Sequence, residues 1–331
     1  FPSQNIITDF SVDNNETYSL YYKYTNNITQ EEAAKKFGTE DAKVYTDYKK
    51  MLDENDLDVI HICTPHYLHA EMVCEGLGRN INVLCEKPLA MRLDECEAII
   101  AAARASGKKF MVGQVCRKTP AFALMKEMVD RGDIGELFYV ESEYAHDYSI
   151  LGRGEWRKDP SYIRHPVVGG GCHAMDLLRW IAGDPTEVFA YANHKMLPDW
   201  PIDDCTISVL KYPNGVIGKV LTSIGCKRPY TMRTQLFGSK GTILGDNKSA
   251  YITLFTPCID EKGKHSFKEE QIPIDINHHN MAAEISDMCD IILGKMPLEI
   301  DVIEGANTVA VCLAAVESTE CGLPVKPHYF S

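Results

Sequence analysis

Short apolar segments alternate with amphipathic ones between residues 19 and 115, and this alternation constrains the fold of the chain most. The segments LDVIHICTP, INVLCEKP and KKFMVGQ have the composition of buried strands, and segments with helical spacing, such as RLDECEAIIAAARASG, separate them. Buried strands joined by helices pair in parallel, with helices on both faces of the sheet. The sequence therefore predicts a doubly wound α/β domain with a parallel sheet.

Beyond about residue 120 the segments become longer and alternate in polarity, as in LFYVESEYAHDY, DCTISVLKY and GVIGKVLTSIG. This pattern predicts a mostly antiparallel open sheet, with a hairpin turn at Tyr212-Pro213-Asn214-Gly215. The helical segments CHAMDLLRWIAG, HNMAAEISDMCDIIL and VIEGANTVAVCLAAVEST are expected to cover one face of that sheet. We predict an α/β plus α+β chain with domains at residues 1–118 and 119–331. An uncovered sheet face favours a homo-oligomer, a dimer or a tetramer.

The formal net charge of −13 argues against two classes of partner. An acidic surface repels phosphate backbones and anionic lipid, so we predict no nucleic-acid partner and no membrane partner. The apolar run TVAVCLAAV is too short to span a bilayer and fits a buried helix. The first residues, FPSQNIITDF, have neither the basic nor the apolar part of a signal peptide, which predicts a cytoplasmic protein.

The chain has twelve cysteines, and none of them forms a CxxC pair. Scattered cysteines in a chain without an export signal are typical of reduced, buried side chains. His278 and His279 open a predicted helix and are assigned no metal. A zinc site is possible but is not supported by the spacing of the cysteines, so we assign no metal.

Two predicted strands end in residues suited to binding, because ligands of a doubly wound sheet lie outside the carboxyl ends of its strands. One strand ends at Cys63-Thr64-Pro65-His66 and the other at Glu86-Lys87-Pro88. A proline after Lys87 disfavours the α conformation for the lysine and holds it extended just past the strand. An amine in this place can polarise a C–O bond during proton or hydride transfer. From its position alone, a solvated lysine is the alternative.

Several strings resemble the Gfo/Idh/MocA family of sugar and inositol oxidoreductases. They are VYTDYKKML, DVIHICTPHYLHAEMVCEGLGRNINVLCEKPLA, GQVCRKTPAF, WRKDP and GGGCHAMDLLRW, and they extend over nearly the whole chain from about residue 19. The resemblance implies a Rossmann-type domain that binds NAD or NADP, followed by a substrate-binding domain. It also implies hydride transfer between the nicotinamide and a hydroxyl-bearing carbon of a sugar, a glycoside or a cyclic polyol.

The same resemblance implies roles for particular residues. Lys87 would contact the substrate and the nicotinamide region, and His173 would act as acid/base on the hydroxyl being oxidised. The implied substrate-binding residues are Asp176, Arg117, Arg157 and Tyr144. The implied cofactor-binding residues are Thr64, Pro65, His66, His69, Glu86, Lys87 and Gln114.

Three of these side chains also have a structural interpretation. His173 could bind a backbone carbonyl at the start of its helix, as many partly buried histidines do. Asp176 could complement the dipole of the same helix from its first turn. Arg157 could form a surface ion pair.

The chain departs from the family pattern at two places. Gly169 stands four residues before His173, at a position where many family members carry an aspartate. Without that carboxylate, either another group must orient the imidazole or Lys87 must take a larger part in proton transfer. The start of the chain also lacks the G-x-G-x-x-G turn that meets a cofactor pyrophosphate. Residues 24–27, Tyr-Thr-Asn-Asn, lack the acidic residue that binds ribose. We expect the first strand and the glycine loop to precede Phe1.

Two other interpretations of the missing turn remain open: a natural variant that has lost dinucleotide binding, or a substitute strand formed by the first residues. Two other functions remain open as well. One is a redox-neutral, NAD-dependent glycosidase or lyase, which would turn over without accumulating NADH. The other is a non-catalytic relative that binds neither NAD nor NADP.

Overall fold

The computed structural model of the chain describes residue 35 and residues 42–150, 158–159, 162, 165–277 and 279–331. These residues form two compact units. The first unit contains the described residues up to Gly113 together with Ile285–Ala306, and the second contains those of Gln114–Glu284 together with Asn307–Ser331. The chain therefore passes between the units three times.

Helices and strands alternate in the first unit, and strands predominate in the second. The helices of the described residues are α1 (Tyr48–Glu54), α2 (His69–Gly78), α3 (Leu93–Ser106), α4 (Pro120–Asp130), α5 (Pro166–Gly169), α6 (Cys172–Ala182), α7 (Met281–Ile292) and α8 (Val302–Cys321). The strands are β1 (Val59–Ile62), β2 (Asn82–Glu86), β3 (Phe110–Gly113), β4 (Leu137–Ala145), β5 (Glu187–Asn193), β6 (Cys205–Lys211), β7 (Ile217–Ser223), β8 (Thr231–Gly238), β9 (Thr242–Asp246), β10 (Tyr251–Ile259) and β11 (His265–Pro273).

The first unit contains a parallel sheet of three described strands in the order β1-β2-β3. Both strand pairs are parallel, with Val59 opposite Asn82 and Val83 opposite Phe110. Asp47 caps α1, because its carboxylate accepts a hydrogen bond of 2.9 Å from the Lys49 backbone N–H. The predicted parallel α/β architecture is confirmed in these elements.

Helix α7 belongs to the core of the first unit. Met288 and Ile291 of α7 are buried in one cluster with Leu84 of β2 and Met111 of β3. The expectation that the segment HNMAAEISDMCDIIL covers the antiparallel sheet is therefore wrong for the part of α7 from Ile285 onward, whereas Met281 in its first turn packs against the core of the second unit. The helical spacing of its apolar residues identifies a buried face, but the same face fits either sheet.

The second unit contains an eight-stranded sheet in the order β11-β10-β9-β8-β4-β7-β6-β5. Every neighbouring pair is antiparallel except β4 and β7, which run in parallel with Tyr139 opposite Ile217. The predicted hairpin between β6 and β7 is present, and its Gly215 has a φ of +85°, which glycine adopts without strain. The mostly antiparallel second sheet is confirmed.

Helices cover one face of this eight-stranded sheet. Phe122 and Met125 of α4 and Leu178 of α6 are buried in one core with Val140 of β4 and Leu236 of β8. The opposite face carries exposed apolar side chains on β5, β6 and β7, namely Tyr191, Ile207, Val209 and Ile217. Burial alternates along β6, as expected for a sheet with one covered face.

Helix α8 is, by length and composition alone, long and apolar enough to cross a membrane. Within its most apolar window, however, 67% of the helix is buried inside the protein. The run TVAVCLAAV lies in this helix, and Val311 and Ala315 belong to the core of the second unit. The prediction of a buried helix here is confirmed.

His61 is a buried polar residue on β1. Its side chain is 5% exposed, and neither ring nitrogen has a hydrogen-bond partner among the described residues. Burial, together with the nearby His69, lowers the pKa of His61 from 6.5 to about 4. The imidazole is therefore held neutral inside the fold.

We expect His61 to make the stability of the chain depend on pH. Between pH 6.5 and about 4 the unfolded chain binds a proton at this imidazole and the folded chain does not, so the free energy of unfolding falls as the pH falls through this window. At about 1.36 kcal/mol per pKa unit the loss reaches about 3 kcal/mol. Urea unfolding of the chain and of His61→Leu at several pH values measures it. His265→Gln, which changes an exposed histidine on β11, is the control. If the free energy of unfolding depends on pH equally in all three proteins, the expectation is contradicted.

Candidate active site

The carboxyl ends of β1 and β2 carry the residues that the sequence singles out in the first unit. Thr64 and Pro65 are buried just after β1, and Thr64 Oγ1 lies 3.4 Å from Met72 Sδ. Lys87 follows β2 directly, is partly exposed, and is joined to Pro88 by a cis peptide bond. Since β1 and β2 are parallel neighbours, these two sets of residues lie at the same edge of the sheet.

The His69 side chain contacts the backbone just after both strands, β1 and β2. Its Nδ1 lies 2.8 Å from the carbonyl oxygen of Pro88, and its Nε2 lies 3.0 Å from that of Thr64. The side chain is fully buried. We propose that His69 positions the backbone of Thr64 and Pro88 through these two contacts. Its predicted cofactor contact stays a prediction.

Glu86 lies beside Lys87 at the end of β2. Burial raises the pKa of the Glu86 carboxyl, and the Lys87 ammonium and backbone N–H lower it in part. The Lys87 N–H donates to Glu86 Oε2 at 3.3 Å. Glu86 therefore places a carboxyl group that is easier to protonate than an exposed glutamate next to the candidate lysine.

Gln114 directly follows β3 and is the first residue of the second unit. It is 2% exposed, and its Oε1 has no hydrogen-bond partner among the described residues. A buried amide oxygen without a partner costs free energy unless a ligand or water donates to it. Within the first unit, the residues after β1 and β2 place Lys87 at the same sheet edge as Thr64 and Pro65. The predicted cofactor contacts of these residues, of His66 and of Gln114 stay predictions.

Other predicted site residues cannot be placed. Residues 24–27 and Arg157 lie outside the described residues, and the glycine loop is expected before Phe1. The predictions for them stay predictions.

His173 lies in the first turn of α6 in the second unit and is only 2% exposed. The Tyr144 ring, on β4, stacks near it with centroids 6.4 Å apart and planes 26° apart. The His279 ring lies 5.6 Å away, centroid to centroid, and Cys116 brings its sulfur within 4.8 Å of ligating nitrogens of both histidines. Tyr144, His279 and Cys116 thus surround the His173 imidazole, which has Gly169 where many family members carry an aspartate.

The glycine run before His173 allows this close packing. A Cβ at Gly170 would stand 2.3 Å from ring atoms of Tyr144, and one at Gly171 would stand 2.3 Å from Thr222 Oγ1. Side chains at these two positions would therefore push β4 and β7 away from α6. This contact between helix and sheet explains the glycines at positions 170 and 171.

Hydroxyl and imidazole groups extend from the His173 neighbourhood along β4. Tyr144 Oη lies 3.2 Å from His146 Nδ1 and 3.1 Å from Tyr148 Oη. The Tyr230 ring packs 5.3 Å from the Tyr144 ring, and Tyr230 Oη lies 3.2 Å from His279 Nε2. These rings and polar atoms are of the kind that bind the faces and hydroxyls of a sugar.

Arg117 and Asp176 form a buried ion pair. The Arg117 guanidinium donates from Nε to Asp176 Oδ2 at 2.8 Å and from Nη2 to Oδ1 at 2.7 Å. The hydroxyl of Thr308 donates to Oδ1 at 3.0 Å, and Asp176 has no exposed surface. Both carboxylate oxygens accept hydrogen bonds within the protein, and we propose that the pair holds α6 in place. The predicted substrate contacts of Arg117 and Asp176 stay predictions.

The sequence alone misses Cys116, His146, Tyr230 and His279 as neighbours of the site. His146 carried a weak signal, because it lies two residues after Tyr144 and so shares its face of the chain. The others come from separate segments, and only the tertiary fold brings them together.

Two family models match the chain. Residues 13–114 match the description "Oxidoreductase family, NAD-binding Rossmann fold", and residues 122–244 match "GFO/IDH/MocA C-terminal domain". The two matches lie end to end and together cover most of the chain.

Curated relatives agree with these models. An uncharacterised oxidoreductase of Bacillus subtilis is 31% identical over 214 residues, which cover 62% of this chain and 60% of that protein. The levoglucosan dehydrogenase of Pseudarthrobacter phenanthrenivorans is 27% identical, covering 64% and 61%. The myo-inositol 2-dehydrogenase of Thermotoga maritima is 28% identical, covering 70% and 68%. The matched region thus spans about three-fifths of the length of the first two relatives.

Solved structures share the fold. A levoglucosan dehydrogenase in complex with NADH superposes with a TM-score of 0.81 at 23% identity, covering 91% of this chain and 87% of that one. Its complex with NADH and levoglucosan gives a TM-score of 0.80 at 23% identity, covering 90% and 86%. The predicted resemblance is confirmed by both family domains: the chain belongs to the Gfo/Idh/MocA oxidoreductase family.

Proposed function

We propose that the chain is an NAD-dependent dehydrogenase that oxidises a hydroxyl-bearing carbon of a sugar, a glycoside or a cyclic polyol. The observation that carries this proposal is the buried His173 imidazole at the start of α6, packed against Tyr144 and His279. A histidine is suited to take up a proton near neutral pH. Matches to an NAD-binding domain and to relatives named as sugar and inositol dehydrogenases support the choice of reaction.

In this reaction His173 accepts the proton of the substrate hydroxyl. Tyr144 and His279 restrict the imidazole to a narrow set of orientations, which the missing aspartate at Gly169 would otherwise do. The family resemblance implies that Lys87 contacts the substrate and the nicotinamide region, and its ammonium would there stabilise developing negative charge. Gln114, Pro65 and His66 would hold the cofactor, and a bound nicotinamide ring supplies the hydride acceptor.

The substrate class is tested with the alcohols that the relatives' names indicate. Levoglucosan and myo-inositol are offered to the chain with NAD and separately with NADP, and NADH or NADPH formation is followed by absorbance. Calorimetric titration with each nucleotide measures binding without turnover. We expect NAD to bind and one of these alcohols, or a close analogue in a polyol panel, to be oxidised. Binding of neither nucleotide rejects the proposal, and substrate turnover without NADH favours the redox-neutral alternative.

Replacing Lys87 with methionine is expected to lower turnover by about 100- to 1,000-fold, because one charge-stabilising donor is lost from the developing oxyanion. The apolar stem is kept, so packing at the end of β2 changes little. Initial rates at saturating NAD measure the effect. Lys108→Met, an exposed lysine in the loop before β3, is the matched control. Equal rates for the two variants would remove Lys87 from the mechanism.

We also propose that the chain is a homo-oligomer through the uncovered face of the eight-stranded sheet. Tyr191 is 72% exposed there, beside Ile207 and Val209. An apolar patch of this kind tends to be covered by a partner. Light scattering of the chain and of a Tyr191→Lys, Val209→Lys double variant tests this, and unchanged mass in the variant would exclude this face.

A further inference from the structure

Three potential metal ligands converge in the second unit. Cys116 lies in the short 3₁₀ turn Val115–Lys118, His173 lies in the first turn of α6, and His279 lies just before α7. One ligating atom from each lies within 4.8 Å of the other two. Within the described ranges this is the group of three histidine, cysteine or acidic side chains that stands close enough to hold an ion.

The chemistry of the three donors favours one kind of ion. A thiolate and two imidazoles suit Zn²⁺ and similar borderline-soft cations, whereas Mg²⁺ and Ca²⁺ prefer oxygen ligands. With Zn–S near 2.3 Å and Zn–N near 2.0 to 2.1 Å, ligand atoms of a tetrahedral site stand about 3.3 to 3.7 Å apart. The donor atoms would therefore move together by at most about 1.5 Å. Three protein ligands leave the fourth position for water or a substrate oxygen.

The surroundings favour a site of this kind. Cys116 is 1% exposed, and its sulfur lies 3.5 Å from Met232 Sδ, so the thiol stands in a soft, dry environment. Tyr230 Oη lies 3.2 Å from His279 Nε2. A hydroxyl on one ring nitrogen is the type of contact that orients a ligating imidazole.

We propose that Cys116, His173 and His279 bind a soft divalent cation, Zn²⁺ by preference, and that this cation inhibits the dehydrogenase. Binding displaces the thiol proton of Cys116 to solvent and forms one metal–sulfur and two metal–nitrogen bonds. A neutral imidazole has one lone pair, so a His173 that binds the cation cannot accept the substrate proton. The inhibition rests on the proposed function, and the binding does not.

Binding is tested with Co²⁺ as the probe, on the full chain treated with chelator and then dialysed. We expect one Co²⁺ per chain, with a thiolate-to-cobalt charge-transfer band in the near ultraviolet that Zn²⁺ abolishes. Cys116→Ser should lose the band, and Cys321→Ser, an exposed cysteine elsewhere, should keep it. His279→Gln replaces a partly exposed ligand and should weaken Co²⁺ binding, which keeps the test valid if Cys116→Ser does not fold. No band, or a band that survives in both ligand variants, would overturn the metal site.

Inhibition is tested separately by adding Zn²⁺ to the turnover assay. One equivalent should stop NADH formation, and chelator should restore it. His279→Gln should be less sensitive to Zn²⁺ than Cys321→Ser. Equal sensitivity would overturn the inhibitory role. A chain that forms the cobalt band but oxidises no alcohol would refute the proposed function and leave the metal site supported.

Discussion

Replacing His173 with glutamine is expected to lower turnover by about 100- to 10,000-fold, which is the usual contribution of a positioned acid or base. Glutamine has nearly the reach of histidine and can still hydrogen-bond, but it cannot take up a proton. The loss should therefore fall on kcat, with the affinity for NAD unchanged. Initial rates over a range of alcohol concentrations, together with calorimetric titration of NAD, measure the two quantities separately.

The buried position of His173 requires a control for folding. His265→Gln makes the same change on an exposed strand of the same unit and should leave turnover unchanged. Circular dichroism and thermal unfolding of both variants show whether the fold is kept. A folded His173→Gln chain with a nearly normal kcat would show that another group removes the proton, and His279 is the next candidate by position.

The architecture could be predicted from the sequence because its signals are local. Period-two and period-3.6 patterns of apolar residues identify strands and helices wherever they occur, and short connections leave few topologies. The hairpin at Gly215 lies at a position that the sequence marked. The destination of α7 could not be predicted, because an apolar helix face does not specify which sheet it covers.

The candidate site could be predicted only in part, for the same reason. Motif residues that are close in sequence, such as Lys87 and Pro88, keep their relation in the fold. The environment of His173 instead depends on Cys116 and His279, which are more than fifty residues away on either side. The partners of His69 and Asp176 are likewise backbone carbonyls and side chains from other segments. A motif shows that a polar residue is present, but it does not show whether that residue faces a ligand or the protein interior.

The ion pair between Arg117 and Asp176 carries the largest expected effect on stability. Asp176→Asn keeps the shape of the side chain but leaves the guanidinium of Arg117, which is 6% exposed, without its counter-charge. Removing one partner of a buried pair costs about 3 to 5 kcal/mol. Urea unfolding should show this loss. Asp133→Asn removes an exposed partner of Arg131, and it should cost at most about 1 kcal/mol.

Kinetics of the same variant separate a positioning role from substrate binding. If Asp176 holds α6, a double variant Arg117→Met, Asp176→Leu should recover much of the stability, because replacing a buried pair by apolar groups of similar volume is often nearly neutral. The turnover number should then recover together with the stability, because α6 again holds His173 in its native position. The KM for the alcohol should be unchanged. If instead Asp176 binds the substrate, the stable double variant should keep a raised KM. An increase in KM without any loss of stability in Asp176→Asn would restore the substrate contact that the sequence suggested.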